Sequence, residues 1–359
     1  MRATFAASRH VSPAIRSKQF PRAFACVAEE WCTEVLDSFP DVEILKKLHL
    51  KLLVDPYLRS NPSLGIKLMR AYAAQGEARM TRQVFDEISE KNVVFFNVMI
   101  RSYVNNGMYI EGIQVFKDML EFGFSPDNYS YPCGLKACAG TGCLHFGLQL
   151  HCAVMKVGLD SNLFVGNGII SMYGKCRRLA EARKVLIEMP IKDVVSWNSM
   201  VAGYAQSGNF DDALKICKTM NELKVKPDCG TMASLHPAVT CTSHDNVLFV
   251  ESMFQGIKKK SLVSWNVMIA VYIKNEMPNE AVKLYSAMEK QGIEPDSVSA
   301  ASVLPACGDL SALSLGKRIH EFIERRKLRP NLLLENALID MYAKCGCLSE
   351  ARAVFEDMK

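Results

Sequence analysis

A column of tyrosines constrains this chain more than any other feature. Tyr72, Tyr103, Tyr173, Tyr204, Tyr272 and Tyr342 are separated by 31, 70, 31, 68 and 70 residues, near-multiples of one unit. Nine residues beyond each tyrosine stands a small or short side chain: Thr81, Gly112, Ala182, Ala213, Ala281 and Ala351. Four further on the residue is apolar, as Phe85, Phe116, Leu186, Cys217, Tyr285 and Phe355. Three columns in register over six copies exclude coincidence, so one supersecondary unit is used repeatedly.

Residues 194–228 show what that unit is. Val195 to Ser207 carries apolar residues at helical spacing, Gly208-Asn209 interrupts it, and Phe210 to Lys224 resumes it before Lys226-Pro227-Asp228. The pattern predicts a helical hairpin. A single hairpin cannot bury apolar faces on both sides, so successive hairpins must stack, and the recurrent small residue lets helices approach closely. The tyrosine and phenylalanine columns are therefore expected in the core rather than at a cofactor.

Composition agrees with a long stack. The 359 residues exceed a usual single domain, yet no Pro/Gly/Ser-rich linker divides them. With 49% hydrophobic residues and a mean hydropathy of +0.04 the chain can bury a large core. No run approaches the roughly 18 apolar residues of a membrane helix, so no membrane partner is expected. The charge of +5, from 43 basic and 38 acidic residues, is compatible with a polyanion without requiring one.

Thirteen cysteines, an odd number in apolar contexts, read as buried free thiols in a reducing compartment. Cys345 and Cys347 have one residue between them and no neighbouring histidine, so no zinc is expected there. Residues 1 to 28 hold no acid but hold Arg2, Arg9, Arg16, Lys18 and Arg22 among Phe5, Val11, Ile15 and Phe20. That composition fits an organellar transit peptide over 1–26, mitochondrial in preference to chloroplast, with a disordered basic tail as the alternative.

Val194-Val195-Ser196-Trp197-Asn198-Ser199-Met200 and Leu262-Val263-Ser264-Trp265-Asn266-Val267-Met268 resemble pentatricopeptide first helices, and Val225-Lys226-Pro227-Asp228 and Ile293-Glu294-Pro295-Asp296 resemble their closing turns. The tetratricopeptide column of Trp, Leu-Gly and Tyr is absent. Repeats of 35 residues at 93–127, 128–162 and 194–228 and of 31 at 163–193 resemble the long and short variants of the plant PLS subclass. Further copies follow the same resemblance: a degenerate long-type one at 27–61, a short one at 62–92, a standard one at 262–296, a long one at 297–331 and a short one cut off at 332–359. Residues 229–261 depart from it, beginning long and ending short, which reads as one fused or shortened repeat that could skip a base. Lys258-Lys259-Lys260 within it reads as a solvated helix end rather than a phosphate clamp.

The resemblance implies an all-α fold, a right-handed superhelical solenoid of stacked helix-turn-helix repeats, and single-stranded organellar RNA as partner. One base per repeat would be read by the fifth and last residues, with the second packing on the base. Asn97 with Asp127, Asn167 with Asp193, Asn198 with Asp228 and Asn266 with Asp296 are the same pair four times, and Asn336 begins a fifth. An Asn amide offers a donor and an acceptor to a base edge while a carboxylate holds it. By resemblance the pair favours uracil and tolerates cytosine, a pyrimidine preference over a seven- to nine-base site. Val94, Phe164, Val195 and Val263 would pack on the bases.

Pro132 with Asn162 and Ala301 with Asn331 receive no letter, because neither Pro nor Ala can hydrogen-bond a base. Trp31 with Asn61 and Ile66 with Asn92 also depart from the pattern. PLS resemblance implies a role in C-to-U editing or RNA processing. The chain carries neither the His-x-Glu nor the Cys-x-x-Cys of a zinc deaminase, so no cofactor and no catalysis are expected, and a separate deaminase or editing-complex protein would act in trans. A protein-binding helical scaffold and a truncated, inactive product remain the alternatives.

Overall fold

In the computed structural model, residues 22–38, 40–55, 58, 61–235, 244–328 and 330–358 are described, and they hold twenty helices and no strand. The expected transit peptide lies outside the described residues as far as residue 21, as do residues 236–243 of the fused segment. Two compact units divide the chain, Met1–Ser130 and Tyr131–Lys359. The first holds α1 (Arg22–Asp37), α2 (Val42–Val54), α3 (Pro62–Ala74), α4 (Ala78–Glu87), α5 (Val93–Asn105) and α6 (Tyr109–Glu121). With Ser130 at its start, α7 (Ser130–Thr141) opens the second, followed by α8 (Leu144–Lys156), α9 (Leu163–Lys175), α10 (Leu179–Glu188), α11 (Val194–Gln206), α12 (Phe210–Glu222) and α13 (Cys229–Leu235). It continues through α14 (His244–Gly256), α15 (Leu262–Lys274), α16 (Pro278–Lys290), α17 (Ser297–Asp309), α18 (Leu313–Arg325), α19 (Leu332–Lys344) and α20 (Leu348–Glu356).

The type hairpin spans α11 and α12, within two residues of the limits its apolar spacing predicts. The two helices of a hairpin start differently. Odd-numbered helices are preceded by a side chain that caps them: Asn61, Asn92, Asn162 and Asn331 each accept two backbone N–H bonds, and Asp193, Ser261 and Asp296 accept one from the third helical residue. Even-numbered helices from α4 onward have no such cap wherever their start is fully described. Their turn is held by backbone instead. The carbonyls of Tyr72, Tyr103, Tyr173, Tyr204, Tyr272 and Tyr342 each accept the N–H five residues on, closing a Schellman motif. This requires a left-handed residue between, which is Gly76, Gly107, Gly208 and Gly346 in four turns but Arg177 and Glu276 in the others.

Within each compact unit the odd helices pack on one another in chain order, α3 on α5 in the first, and α9, α11, α13, α15, α17 and α19 in the second. Even helices pack on the odd helices beside them, on both sides for α4 (α3 and α5), α10 (α9 and α11), α16 (α15 and α17) and α18 (α17 and α19). The six tyrosines of the column are all buried. So are Thr81, Gly112, Ala182, Ala213, Ala281 and Ala351 nine residues on, which lets adjacent helices close up. Closest approach falls at Gly174 on α9 and Gly203 on α11, where a Cβ on either would meet the other's Cα at 3.2 Å. The third column departs once: Phe355 on α20 is exposed, whereas Phe85, Phe116, Leu186, Cys217 and Tyr285 are buried.

A recurrent pairing that the spacing analysis did not anticipate joins even helices to the next odd one. The ring of His151 on α8 meets Tyr173 on α9 edge-on with its Nδ1 2.9 Å from the hydroxyl, and His320 on α18 repeats this with Tyr342 on α19. His49 stacks edge-on to Tyr72 and bonds Glu87 through Nε2 at 2.7 Å. Free thiols divide. Cys32, Cys138, Cys217 and Cys307 are buried as expected, and burial pushes Cys217 and Cys307 up to about 12, but Cys152 is exposed. No helix among the described residues is long and apolar enough to cross a membrane.

The turns give a direct test. Gly208 has open space around its Cα, so Gly208→Ala meets no atom, yet its φ of +79° makes a side chain unfavourable. Equilibrium urea unfolding should show a loss of about 1–2 kcal/mol. Arg177→Gly, at a φ of +58°, should give no loss or a gain.

Candidate nucleic-acid interface

The cap of an odd helix is also the partner of a side chain on the odd helix before it. Asp228 Oδ1 accepts the backbone N–H of Thr231 at 2.8 Å at the start of α13, and the same oxygen accepts Asn198 Nδ2 of α11 at 3.1 Å. Asp296, capping α17, accepts Asn266 Nδ2 of α15 at 3.1 Å. Asp193, capping α11, accepts Asn167 Nδ2 of α9 at 3.3 Å. Asp127 binds the N–H groups of Tyr129 and Ser130 and holds Asn97 of α5 through both oxygens, at 3.1 and 3.3 Å. All four Asn–Asp pairs therefore touch, and Asn167–Asp193, Asn198–Asp228 and Asn266–Asp296 bridge consecutive odd helices of the second unit.

The amides are less free than their sequence positions suggest. Ser130 Oγ donates to Asn97 Oδ1 at 2.6 Å, Thr231 Oγ1 to Asn198 Oδ1 at 2.7 Å and Ser299 Oγ to Asn266 Oδ1 at 2.6 Å. In these three pairs one Nδ2 hydrogen is held by the carboxylate and one Oδ1 lone pair by the hydroxyl, leaving one N–H and one lone pair on each amide. Asn266 departs further, being only 5% exposed. Asn167 has no hydroxyl on it, and its Oδ1 is buried without a partner. Asn336 on α19 is exposed.

Beside these pairs stand exposed apolar side chains at the second position of the odd helices. Val94, Phe164, Val195 and Val263 are 39%, 71%, 55% and 44% exposed, an unfavourable place for apolar surface unless something flat covers it. Tyr129, Val298 and Leu333 occupy the same register, equally exposed, and were not singled out from sequence; counting the second residue of every copy would have found them. Gly230 is the exception in that column, and a Cβ there would meet Asn198 Nδ2 at 2.9 Å. Accordingly Asn198–Asp228 is solvent-exposed while the other three pairs are partly buried. A groove of about 240 Å³ runs past it, lined by Ser171 and Lys175 of α9, Val195, Asn198 and Gln206 of α11 and Ser234 of α13.

Positions left without a letter behave otherwise. Asn162 and Asn331 cap α9 and α19, and Ala301 is buried. Asn61 caps α3 and donates to Glu29 at 2.6 Å, and Trp31 lies under the ammonium of Lys51 at 4.3 Å. Lys260, in the basic run after α14, donates to the Ile257 carbonyl at 3.0 Å and so serves as a helix end. No cluster of three or more metal-ligating side chains exists among the described residues.

Burial pushes each of the four carboxyls up, but hydrogen bonds outweigh it. The backbone N–H groups two or three residues on, the hydroxyl three residues on and the Asn amide together hold Asp127, Asp193, Asp228 and Asp296 below their ordinary value. A carboxyl lowered on folding adds stability that is complete above its unfolded value and is lost as pH falls through the folded one. Asp228→Ala should therefore cost about 1–2 kcal/mol near neutral pH in urea unfolding, and its deficit relative to wild type should shrink as the pH is lowered below the ordinary carboxylate range.

Comparison with known proteins fits this arrangement. Residues 91–140, 192–235 and 260–309 match the PPR repeat family, and 167–194 and 336–359 match the PPR repeat, together more than half of the chain. A putative pentatricopeptide repeat-containing protein of Arabidopsis thaliana is 61% identical over 326 residues, covering 91% of this chain and 47% of that protein. A chloroplastic pentatricopeptide repeat-containing protein of the same plant is 30% identical over 339 residues, covering 84% and 39%. The chain thus spans less than half the length of these relatives. Among solved structures, the pentatricopeptide repeat protein PPR10 in complex with an 18-nt psaJ RNA element has a TM-score of 0.63 at 19% identity, over 88% of this chain and 47% of that one. Repeated hairpins, capped and paired in this way, make the chain a member of the pentatricopeptide repeat family.

Proposed function

We propose that the chain binds single-stranded RNA sequence-specifically in an organelle, one base per repeat, with the repeats divided as 62–92, 93–127, 128–162, 163–193, 194–228, 229–261, 262–296, 297–331 and 332–359. The observation that carries this reading is the fourfold contact between Asn and Asp across consecutive odd helices, beside a column of exposed apolar residues. A base laid on Val195 or Val263 would cover apolar surface, at about 1–3 kcal/mol per stacked base, and bring its polar edge to the amide. The remaining N–H and lone pair of Asn97 and of the exposed Asn198 suit the acceptor and donor side by side on uracil, and on cytosine with the groups exchanged. PPR10, of the same fold, was solved with an RNA element bound, which supports RNA as the class of ligand.

Repeats 128–162, 229–261 and 297–331 carry no such pair, so preference falls on the first, third, fourth and sixth of about seven consecutive bases in repeat order. The PLS-like alternation of long and short repeats supports a role as specificity factor for C-to-U editing or RNA processing, with the chemistry supplied by a separate deaminase. The acid-free, arginine-bearing first 28 residues support import into an organelle, the mitochondrion by composition, while relatives named chloroplastic support an organelle more broadly.

Selection of RNAs from a random pool by the purified chain should enrich pyrimidines at those four spacings. Asn198→Thr should shift preference at one base toward purine by about fivefold or more. Equal weakening on every sequence would assign Asn198 to structure and withdraw its letter.

A further inference from the structure

Each Asn–Asp pair is followed, three residues after the aspartate, by a hydroxyl: Ser130, Ser196, Thr231 and Ser299. Three of these do two things. Ser130 Oγ accepts the Asp127 N–H at 3.1 Å, Thr231 Oγ1 the Asp228 N–H at 3.0 Å and Ser299 Oγ the Asp296 N–H at 3.2 Å, which is the usual work of a helix start. Their single proton then has two acceptors in reach, the aspartate at 2.8 to 3.1 Å and the asparagine carbonyl at 2.6 to 2.7 Å. The asparagine is the shorter in every case. Ser196 differs: it bonds Asp193 at 3.0 Å, while Asn167 Oδ1 stays buried with no partner.

We infer that Ser130, Thr231 and Ser299 are positioning residues for base recognition, each fixing the plane of an asparagine amide that belongs to the preceding repeat. An amide held at Nδ2 alone can swing about that one bond. Held also at Oδ1, it keeps its free N–H and lone pair at one place, and geometry of that kind is what separates hydrogen-bonding bases from ill-matched ones. The recognition element is thus three side chains from two repeats, and 163–193, lacking the third, is the least discriminating of the four lettered repeats. This inference rests on the RNA-binding reading for its consequence but not for its geometry.

Side-chain amide relaxation by NMR on the full chain tests the geometry without RNA. In the wild type the carboxamides of Asn97, Asn198 and Asn266 should be more restricted than that of Asn167. Thr231→Val should loosen Asn198 to the level of Asn167, and Thr231→Ser should leave it restricted. Equal order in all four, or no change in Asn198 on Thr231→Val, overturns the inference. Competition binding with RNAs differing only at the base facing Asn198 tests the consequence. Thr231→Val should reduce the pyrimidine-over-purine ratio about fivefold to tenfold, as for one lost hydrogen bond, with Thr231→Ser retaining it. Uniform weakening across all four bases overturns the positioning role, because a lost cap has no base preference. Should the wild type show no base preference there, the RNA-binding reading falls while the relaxation measurement still decides the amide's restraint.

Discussion

The first turn of every helix exposes backbone N–H groups that nothing inside the helix can pair, and in this chain one side chain ahead of each odd helix from α3 onward supplies that need. At three junctions of the second unit that side chain is an aspartate whose oxygen reaches the preceding odd helix as well, and Asp127 of the first unit holds Asn97 of α5 in the same way. Local helix initiation and contact between neighbouring hairpins therefore pass through a single carboxylate. Its burial would favour the neutral form, but the bonds it accepts from backbone, hydroxyl and amide hold its carboxyl below the ordinary value, so it stays an acceptor toward all three.

The rest of the fold sets the spacing at which these junctions recur. Buried tyrosines fix the ends of α3, α5, α9, α11, α15 and α19 through their carbonyls, as Cys138 and Cys307 do for α7 and α17, and the small residues nine positions beyond the tyrosines let the even helix lie close. Where Gly174 faces Gly203 no side chain separates the two odd helices at all. The asparagine of each junction is thus carried on a closely packed odd helix and its aspartate in a turn, so helix packing sets where the two meet.

Much of this was legible in the sequence, because hairpin periodicity and capping chemistry are both local. The tyrosine column and the break at Gly208-Asn209 follow from spacing alone, and the Asn–Asp partners from the resemblance to pentatricopeptide repeats. What was not legible depends on neighbours brought in by stacking. Asn266 has the same sequence surroundings as Asn198, yet it is buried and Asn198 is not; Gly230 stands beside Asn198 where the corresponding residue beside Asn266 is Val298. Arg177 and Glu276 hide the left-handed turn because the backbone conformation is imposed by the Schellman bonds and not by the residue. The histidine–tyrosine contacts and the hydroxyls of Ser130, Thr231 and Ser299 escaped notice because each joins side chains more than twenty residues apart.

One consequence of the shared cap reaches beyond this molecule's present residues. The side chains ahead of α3, α5, α7, α9, α11, α13, α15, α17 and α19 are Asn61, Asn92, Asp127, Asn162, Asp193, Asp228, Ser261, Asp296 and Asn331, drawn wholly from the few residue types that start helices well. On the proposed RNA-binding reading, any alphabet written at that place is confined to helix starters, and a letter that demanded a lysine or a leucine there would loosen the helix it precedes.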